Sequence, residues 1–127
     1  MARRTIHADD AASAAGAYSQ ATTDGELLFT AGQIAVTPDG EQLSDASIET
    51  QTERALENLA AVLAEAGTGL ENVLKTTVFL ADIDDFEAMN EVYASYFDSE
   101  PPARSAIQAG ALPLGMAVEI EAVATRS

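Results

Sequence analysis

Ile48, Thr52, Ala55, Leu56, Leu59, Val62, Leu63 and Ala66 recur at intervals of three and four, so they share one face of a helix. Glu49, Glu53, Glu57 and Glu65 fall largely elsewhere on the same wheel. A stripe of that width is stable only against a second apolar layer, and the flanking sequence supplies strands for one. Ser44, Asp45 or Ser47 can cap the start of the helix, and Gly67 suits the left-handed position that ends it.

Upstream, residues 17–21 form a candidate short strand between Gly16 and the Asp24-Gly25 turn, and residues 27–34 a stronger one containing Phe29, Thr30 and Ile34; together they predict a hairpin. Downstream, residues 73–80 are β-branched and short enough for a strand. Asp84-x-x-Glu87 then resembles a capping box opening a second helix, with Phe86, Met89, Tyr93 and Phe97 on its apolar face. Pro101 and Pro102 forbid its continuation. Residues 103–108 and 117–124 read as two final strands around a connection at 110–115. The order implies a single α+β domain over residues 1–127, a mixed sheet with two helices packed on one face. The other face, whose outward positions carry Thr, Phe, Val and Ala, is left for a partner, and oligomerisation through the sheet is expected.

Composition excludes several kinds of chemistry. With no cysteine there is no disulfide, thiolate metal site or thiol nucleophile, and the lone His7 stands near the terminus, away from any catalytic pattern. No metal-ligand cluster, phosphate loop or serine triad spacing is present. The formal net charge of −15 repels nucleic acid and anionic membranes alike. No apolar run approaches the ~18 residues of a bilayer span, and Arg3-Arg4 is not followed by the apolar stretch of a secretory signal, so a cytoplasmic protein is expected. Acidic residues cover the whole chain and Lys75 is its one lysine, a pattern suited to a high-salt, halophilic interior.

Arg104 is the sharpest candidate for function. It lies in a short apolar strand just after two prolines, where a guanidinium needs an anion: an internal Asp or Glu, or a carboxylate ligand held by its planar fork. Glu119 and Glu121 alternate with Val118, Ile120 and Ala122, so both project from one strand face, for acid–base work or as a solvated surface. Tyr18 can bring its hydroxyl to a ligand or simply pack with a wet tip. Gly32 permits a close backbone approach or marks a bulge. Asn90 is a substrate contact or, more readily, a tie for a loop.

These residues sit in a pattern that resembles the RidA/YjgF family of small enamine/imine deaminases along almost the whole chain. Its most specific piece is Pro102-Ala103-Arg104-Ser105. In family order stand Gly16-Ala17-Tyr18-Ser19-Gln20, Thr30-Ala31-Gly32-Gln33-Ile34, Lys75-Thr76-Thr77-Val78-Phe79-Leu80, the stretch from Asn90 to Phe97, and Val118-Glu119-Ile120-Glu121-Ala122. The resemblance implies a chorismate-mutase-like fold, a homotrimer with pockets between subunits, and no cofactor or metal. It implies hydrolysis of 2-iminobutanoate and 2-iminopropanoate to 2-keto acids and ammonia. Arg104 would hold the substrate carboxylate, Glu119 the water or its proton, and Tyr18 the mouth of the pocket, with Ser105, Ala106, Gly32 and Asn90 lining it. A non-catalytic trimer that binds small carboxylates, with a regulatory or chaperone-like role, is the alternative for the same fold. The chain departs from the family at Ala17, where proline is common, at Ala31, where serine is frequent, and at Ala106, where cysteine is frequent.

Overall fold

The computed structural model describes residues 2–97 and 99–126. Six strands, β1 (Arg4–Ile6), β2 (Ala21–Thr23), β3 (Leu27–Thr30), β4 (Val73–Leu80), β5 (Ala103–Gln108) and β6 (Val118–Thr125), form one sheet in the order β1-β2-β3-β6-β4-β5. Two helices, α1 (Ile48–Glu65) and α2 (Phe86–Tyr96), cover one of its faces. The connectivity requires this. β3 and β4 both run antiparallel to β6 between them, so they are parallel to each other and α1 is their crossover; α2 joins β4 to its parallel neighbour β5. Both crossovers step the same way along the sheet, and right-handed crossovers with the same direction lay their helices on the same face.

The core lies between these layers. Val118, Ile120, Ala122 and Ala124 of β6, Val78 and Leu80 of β4 and Leu28 of β3 meet Leu56, Leu59, Val62 and Leu63 of α1 and Met89 of α2, all buried. Each large aliphatic side chain in such a layer stabilises the fold by about 1.5–3 kcal/mol relative to exposure. Of the three candidate caps for α1, Ser47 is the one used, its Oγ accepting from the Thr50 N–H at 3.2 Å. At the other end Gly67 has φ +82°, which lets the Thr68 N–H reach Leu63 O and the Gly67 N–H reach Ala64 O, both at 3.0 Å, closing the helix carbonyls.

The open face carries Phe29, Phe79, Ile107 and Val123, with Phe29 50% and Ile107 48% exposed. No helix among the described residues is long and apolar enough to cross a membrane.

Three expectations need correction. The first hairpin is formed by β2 and β3, and the segment 17–20 is bent instead of extended: the Tyr18 N–H folds back to Gly16 O at 2.9 Å. The stretch read as one strand, 27–34, breaks after Thr30 and rejoins the sheet only through a bridge between Gln33 and Ile120. No capping box opens α2. A 3-10 turn at Ile83–Asp85 intervenes, with Asp82 capping the Asp84 N–H at 2.9 Å, and Asp85 at the start of α2 makes no side-chain cap.

Candidate active site

Arg104 stands on the edge strand β5 in register with Thr76, and its side chain lies toward the helix layer. Among the described residues, its guanidinium is held by neutral groups. Nη1 donates to Asn90 Oδ1 at 2.6 Å, and the guanidinium carbon sits 4.7 Å from the Tyr93 ring centroid and 5.3 Å from that of Phe86. Phe86, Asn90 and Tyr93 are at positions i, i+4 and i+7 of α2, so one helix face presents all three. Tyr93 in turn shares a 2.7 Å hydrogen bond with the hydroxyl of fully buried Thr76. Burial raises the Tyr93 phenol above its usual pKa, with the Thr76 bond and the Arg104 charge pulling the other way. Among the described residues no carboxylate pairs with Arg104; the one contact at ion-pair distance is His7 with Asp9 at 2.9 Å, charged on both sides only when the imidazole is protonated. The internal ion pair open to Arg104 on sequence grounds is not formed among the described residues. Asn90, expected to tie down a loop, instead fixes the arginine. A cleft of about 230 Å³ lined by Asn90, Tyr93, Ala94, Phe97, Pro101, Pro102 and Arg104 leads to the guanidinium.

Glu119 lies on the opposite face of the sheet. It alternates with buried Val118 and Ile120 and stands in register with Phe79. Beside it the β3–β6 ladder is irregular. Phe29 opposes Val123 and Gln33 opposes Ile120, so residues 30–32, three in number, face residues 121 and 122, two in number, making a bulge. The Thr30 hydroxyl accepts the Ala122 N–H at 3.0 Å, satisfying a ladder group the bulge leaves unpaired. Gly32 is the bulge's close approach: a Cβ there would lie 2.6 Å from Glu119 Cδ and 2.8 Å from Cγ. Of the two sequence readings of Gly32, both hold. Half-burial raises the Glu119 carboxyl above its ordinary pKa, and the negative charge of Glu121 adds to the rise.

Tyr18 is 53% exposed, its hydroxyl accepting from the Ala15 N–H at 3.2 Å. Its loop is tied by Gln20, whose Nε2 donates to Ala8 O (3.1 Å) and Ala12 O (2.8 Å) while Oε1 accepts the Ala8 N–H. Tyr18 and Gly32 share the wall of a cavity of about 400 Å³ with Ala12, Gln33, Ile34 and Leu114. Ser105 is exposed in register with Thr77, and Ala106 is partly buried against the core. Because β5 is an edge strand, alternate peptide groups of its backbone point away from the sheet.

The candidate residues thus fall into two groups on opposite sides of the sheet. Tyr18 and Gly32 share a cavity, with Glu119 against Gly32, while Arg104 and Asn90 share a cleft on the other side of the sheet. The contacts of Phe86 and Tyr93 with this arginine, and of Thr76 with Tyr93, are not among the sequence candidates; the spacing of 86, 90 and 93 on one helix face is the signal for them, and Phe86 and Tyr93 stand in the sequence only as part of an apolar face with Met89 and Phe97. Among the described residues no group of three or more His, Cys, Asp or Glu side chains could hold a metal.

A six-stranded mixed sheet with two helices on one face places the chain in a class of small α+β proteins. The family profile described as Endoribonuclease L-PSP matches residues 8–126, and the chain belongs to this family, that of the RidA/YjgF proteins. It is 45% identical over 126 residues to protein DfrA of Myxococcus xanthus, covering 98% of this chain and 96% of that one. It is 44% identical over 124 residues to the human 2-iminobutanoate/2-iminopropanoate deaminase, covering 98% and 90%. The crystal structure of Escherichia coli TdcF with bound serine superposes with a TM-score of 0.92 at 39% identity, covering 98% of this chain and 99% of that one.

Proposed function

We propose that this protein hydrolyses 2-imino acids, 2-iminobutanoate and 2-iminopropanoate among them, to 2-keto acids and ammonia, at sites formed where copies of the chain meet. The observation that carries the reading is Arg104: a half-buried guanidinium with only neutral partners among the described residues is open to a ligand carboxylate in its plane, its face being covered by Tyr93. A relative that binds serine, also a small α-carboxylate, and one named for imino-acid deamination support the same class of ligand.

Arg104 anchors the carboxylate and leaves the imine carbon facing the neighbouring copy. Glu119 of that copy, ionised, takes a proton from water as the water oxygen bonds to the carbon of the protonated imine and the C=N π pair moves onto nitrogen, giving a neutral carbinolamine. The carbinolamine collapses after Glu119 returns its proton to nitrogen: the C–N bond breaks, the carbonyl forms, and the hydroxyl proton passes to the Glu119 carboxylate and on to the departing ammonia, which leaves as ammonium. Tyr18 closes the mouth, and outward peptide groups of Ser105 and Ala106 hold the imine nitrogen or the water. A protonated imine is already electrophilic, so positioning and proton transfer suffice without a cofactor. The uncovered face with Phe29, Phe79, Ile107 and Val123 favours self-association, as a homotrimer in this reading. The net charge of −15 argues against a phosphate backbone as ligand, despite the ribonuclease in the family profile's name.

A second reading, a trimer that binds small carboxylates without turnover, draws on Ala31, which lacks the hydroxyl a serine would bring beside Gly32. One assay separates them. Threonine dehydratase supplies 2-iminobutanoate and release of 2-ketobutyrate is followed with wild type, Arg104→Ala and Glu119→Gln. Deamination predicts acceleration by wild type alone, with 2-ketobutyrate still bound by Glu119→Gln. Folded, oligomeric wild type without acceleration overturns the deaminase reading.

A further inference from the structure

We propose that the hydroxyl pair Thr76–Tyr93 is a latch that aims Arg104, making Tyr93 and Thr76 positioning residues for carboxylate binding. The proposal rests on the carboxylate-anchoring role of Arg104 given above. Three observations converge on it. Thr76 is fully buried and is the register partner of Arg104 across the β4–β5 pair, so strand pairing fixes both at the same level of the sheet. The Tyr93 ring, which forms one wall of the guanidinium's seat at 4.7 Å, is held at its far tip by the Thr76 hydroxyl at 2.7 Å. Beside the Phe86 ring at 5.3 Å, the hydrogen bond that holds the guanidinium is Nη1 to Asn90 Oδ1 at 2.6 Å.

The chemistry explains why neutral groups are used. A guanidinium has five N–H donors in one plane; Asn90 takes one, and the ring covers a face without using any. The rest of the plane stays available to two carboxylate oxygens. A carboxylate in place of Asn90 would hold the arginine as firmly, but it would neutralise the charge the ligand needs. Aim then depends on the ring's position, because a half-buried arginine on an edge strand has several rotamers and only one presents its fork to the cleft. Without the bond to Thr76 the ring swings about its χ angles and the seat loosens. The expected penalty falls on ligand affinity, with little on the chemical step at Glu119.

A merely structural hydroxyl pair makes a different prediction, and the double variant tells the two apart. Tyr93→Phe and Thr76→Val each strand one buried hydroxyl, so each single variant lowers stability, while the double variant strands neither and recovers it. Binding of 2-ketobutyrate is measured by calorimetry for wild type, both single variants, the double variant and Arg104→Ala, beside thermal midpoints and KM and kcat. The latch predicts affinity weaker by about five- to tenfold and KM raised by the same factor in all three latch variants, the double included, on the scale of roughly one hydrogen bond, with kcat within about twofold of wild type. Asn90→Asp, which keeps the tie to Arg104 but neutralises it, is expected to weaken binding at least as much. A double variant that regains both stability and wild-type affinity overturns the latch while leaving the anchoring role of Arg104 intact. If wild type and Arg104→Ala bind 2-ketobutyrate equally, the anchoring role fails and the latch fails with it.

Discussion

Gly32 and Glu119 show how one residue sets the state of another. The missing Cβ makes room for the glutamate's methylenes and carboxyl carbon, which the bulge brings against the backbone. Gly32→Ala is expected to force the carboxylate aside, lowering stability by about 1–3 kcal/mol and turnover more severely, read from urea unfolding and the coupled assay. The raised pKa of Glu119 has its own consequence. An acid whose pKa rises on folding holds its proton more tightly when folded, so the stability it contributes is present at low pH and lost as pH climbs from the ordinary value of 4.5 through the raised one. For catalysis the ionised form is required, so the acid limb of the kcat/KM profile is expected above 4.5. Since Glu121 adds to the rise, Glu121→Gln is predicted to move that limb to lower pH; an unmoved limb assigns it to another group. The alternation that puts Glu119 opposite Ile120 was legible in the sequence. The cause of its shift was not, because half-burial depends on the neighbouring bulge.

At the scale of elements, what could be read was what is periodic. The 48–66 series gave α1 almost to the residue, and β4 and β5 lie where their β-branched and proline-bounded segments were expected. What escaped was held by side chains reaching across the chain. β1 is a three-residue strand fixed by pairing with β2, too short to show a period. The bend at Gly16–Tyr18 depends on Gln20 tying residues 8 and 12. The strand read over 27–34 fails beyond Thr30, where Asn58 of α1, fully buried, claims the carbonyls of Ile34 and Val36 at 3.0 and 2.8 Å. Nothing in the spacing of 27–34 announces a partner more than twenty residues away. Asn58→Ala would leave those two carbonyls without their donor and is expected to cost roughly 1–3 kcal/mol in urea unfolding, loosening the wall of the cavity beside Tyr18. A loss under about 0.5 kcal/mol would mean that the loop holds without it.

The whole molecule carries 21 acidic and 6 basic residues, and among the described residues a single contact at ion-pair distance, His7 with Asp9. Its repulsions are therefore set by solvent, so unfolding midpoints are expected to rise between about 0.1 M and about 2 M potassium chloride as the screening length shrinks; flat or falling midpoints contradict a halophilic surface. The second feature at this scale is that the proposed machinery lies on both sides of the sheet. Arg104 stands out in the sequence as a candidate, but the face it takes is decided by its pairing with Thr76, so its placement on the side of the sheet opposite Glu119 was not readable from the chain. The central claim, that Arg104 of one copy works with Glu119 of another, is tested by mixing two variants. Arg104→Ala and Glu119→Gln, each inactive alone, are unfolded together and reassembled in equal amounts before the coupled assay. Shared sites predict that activity returns to about a quarter of wild type, the fraction of contacts at which an intact arginine meets an intact glutamate under random mixing. Mixed oligomers that form but stay inactive would contradict it, placing both residues of each site in one chain.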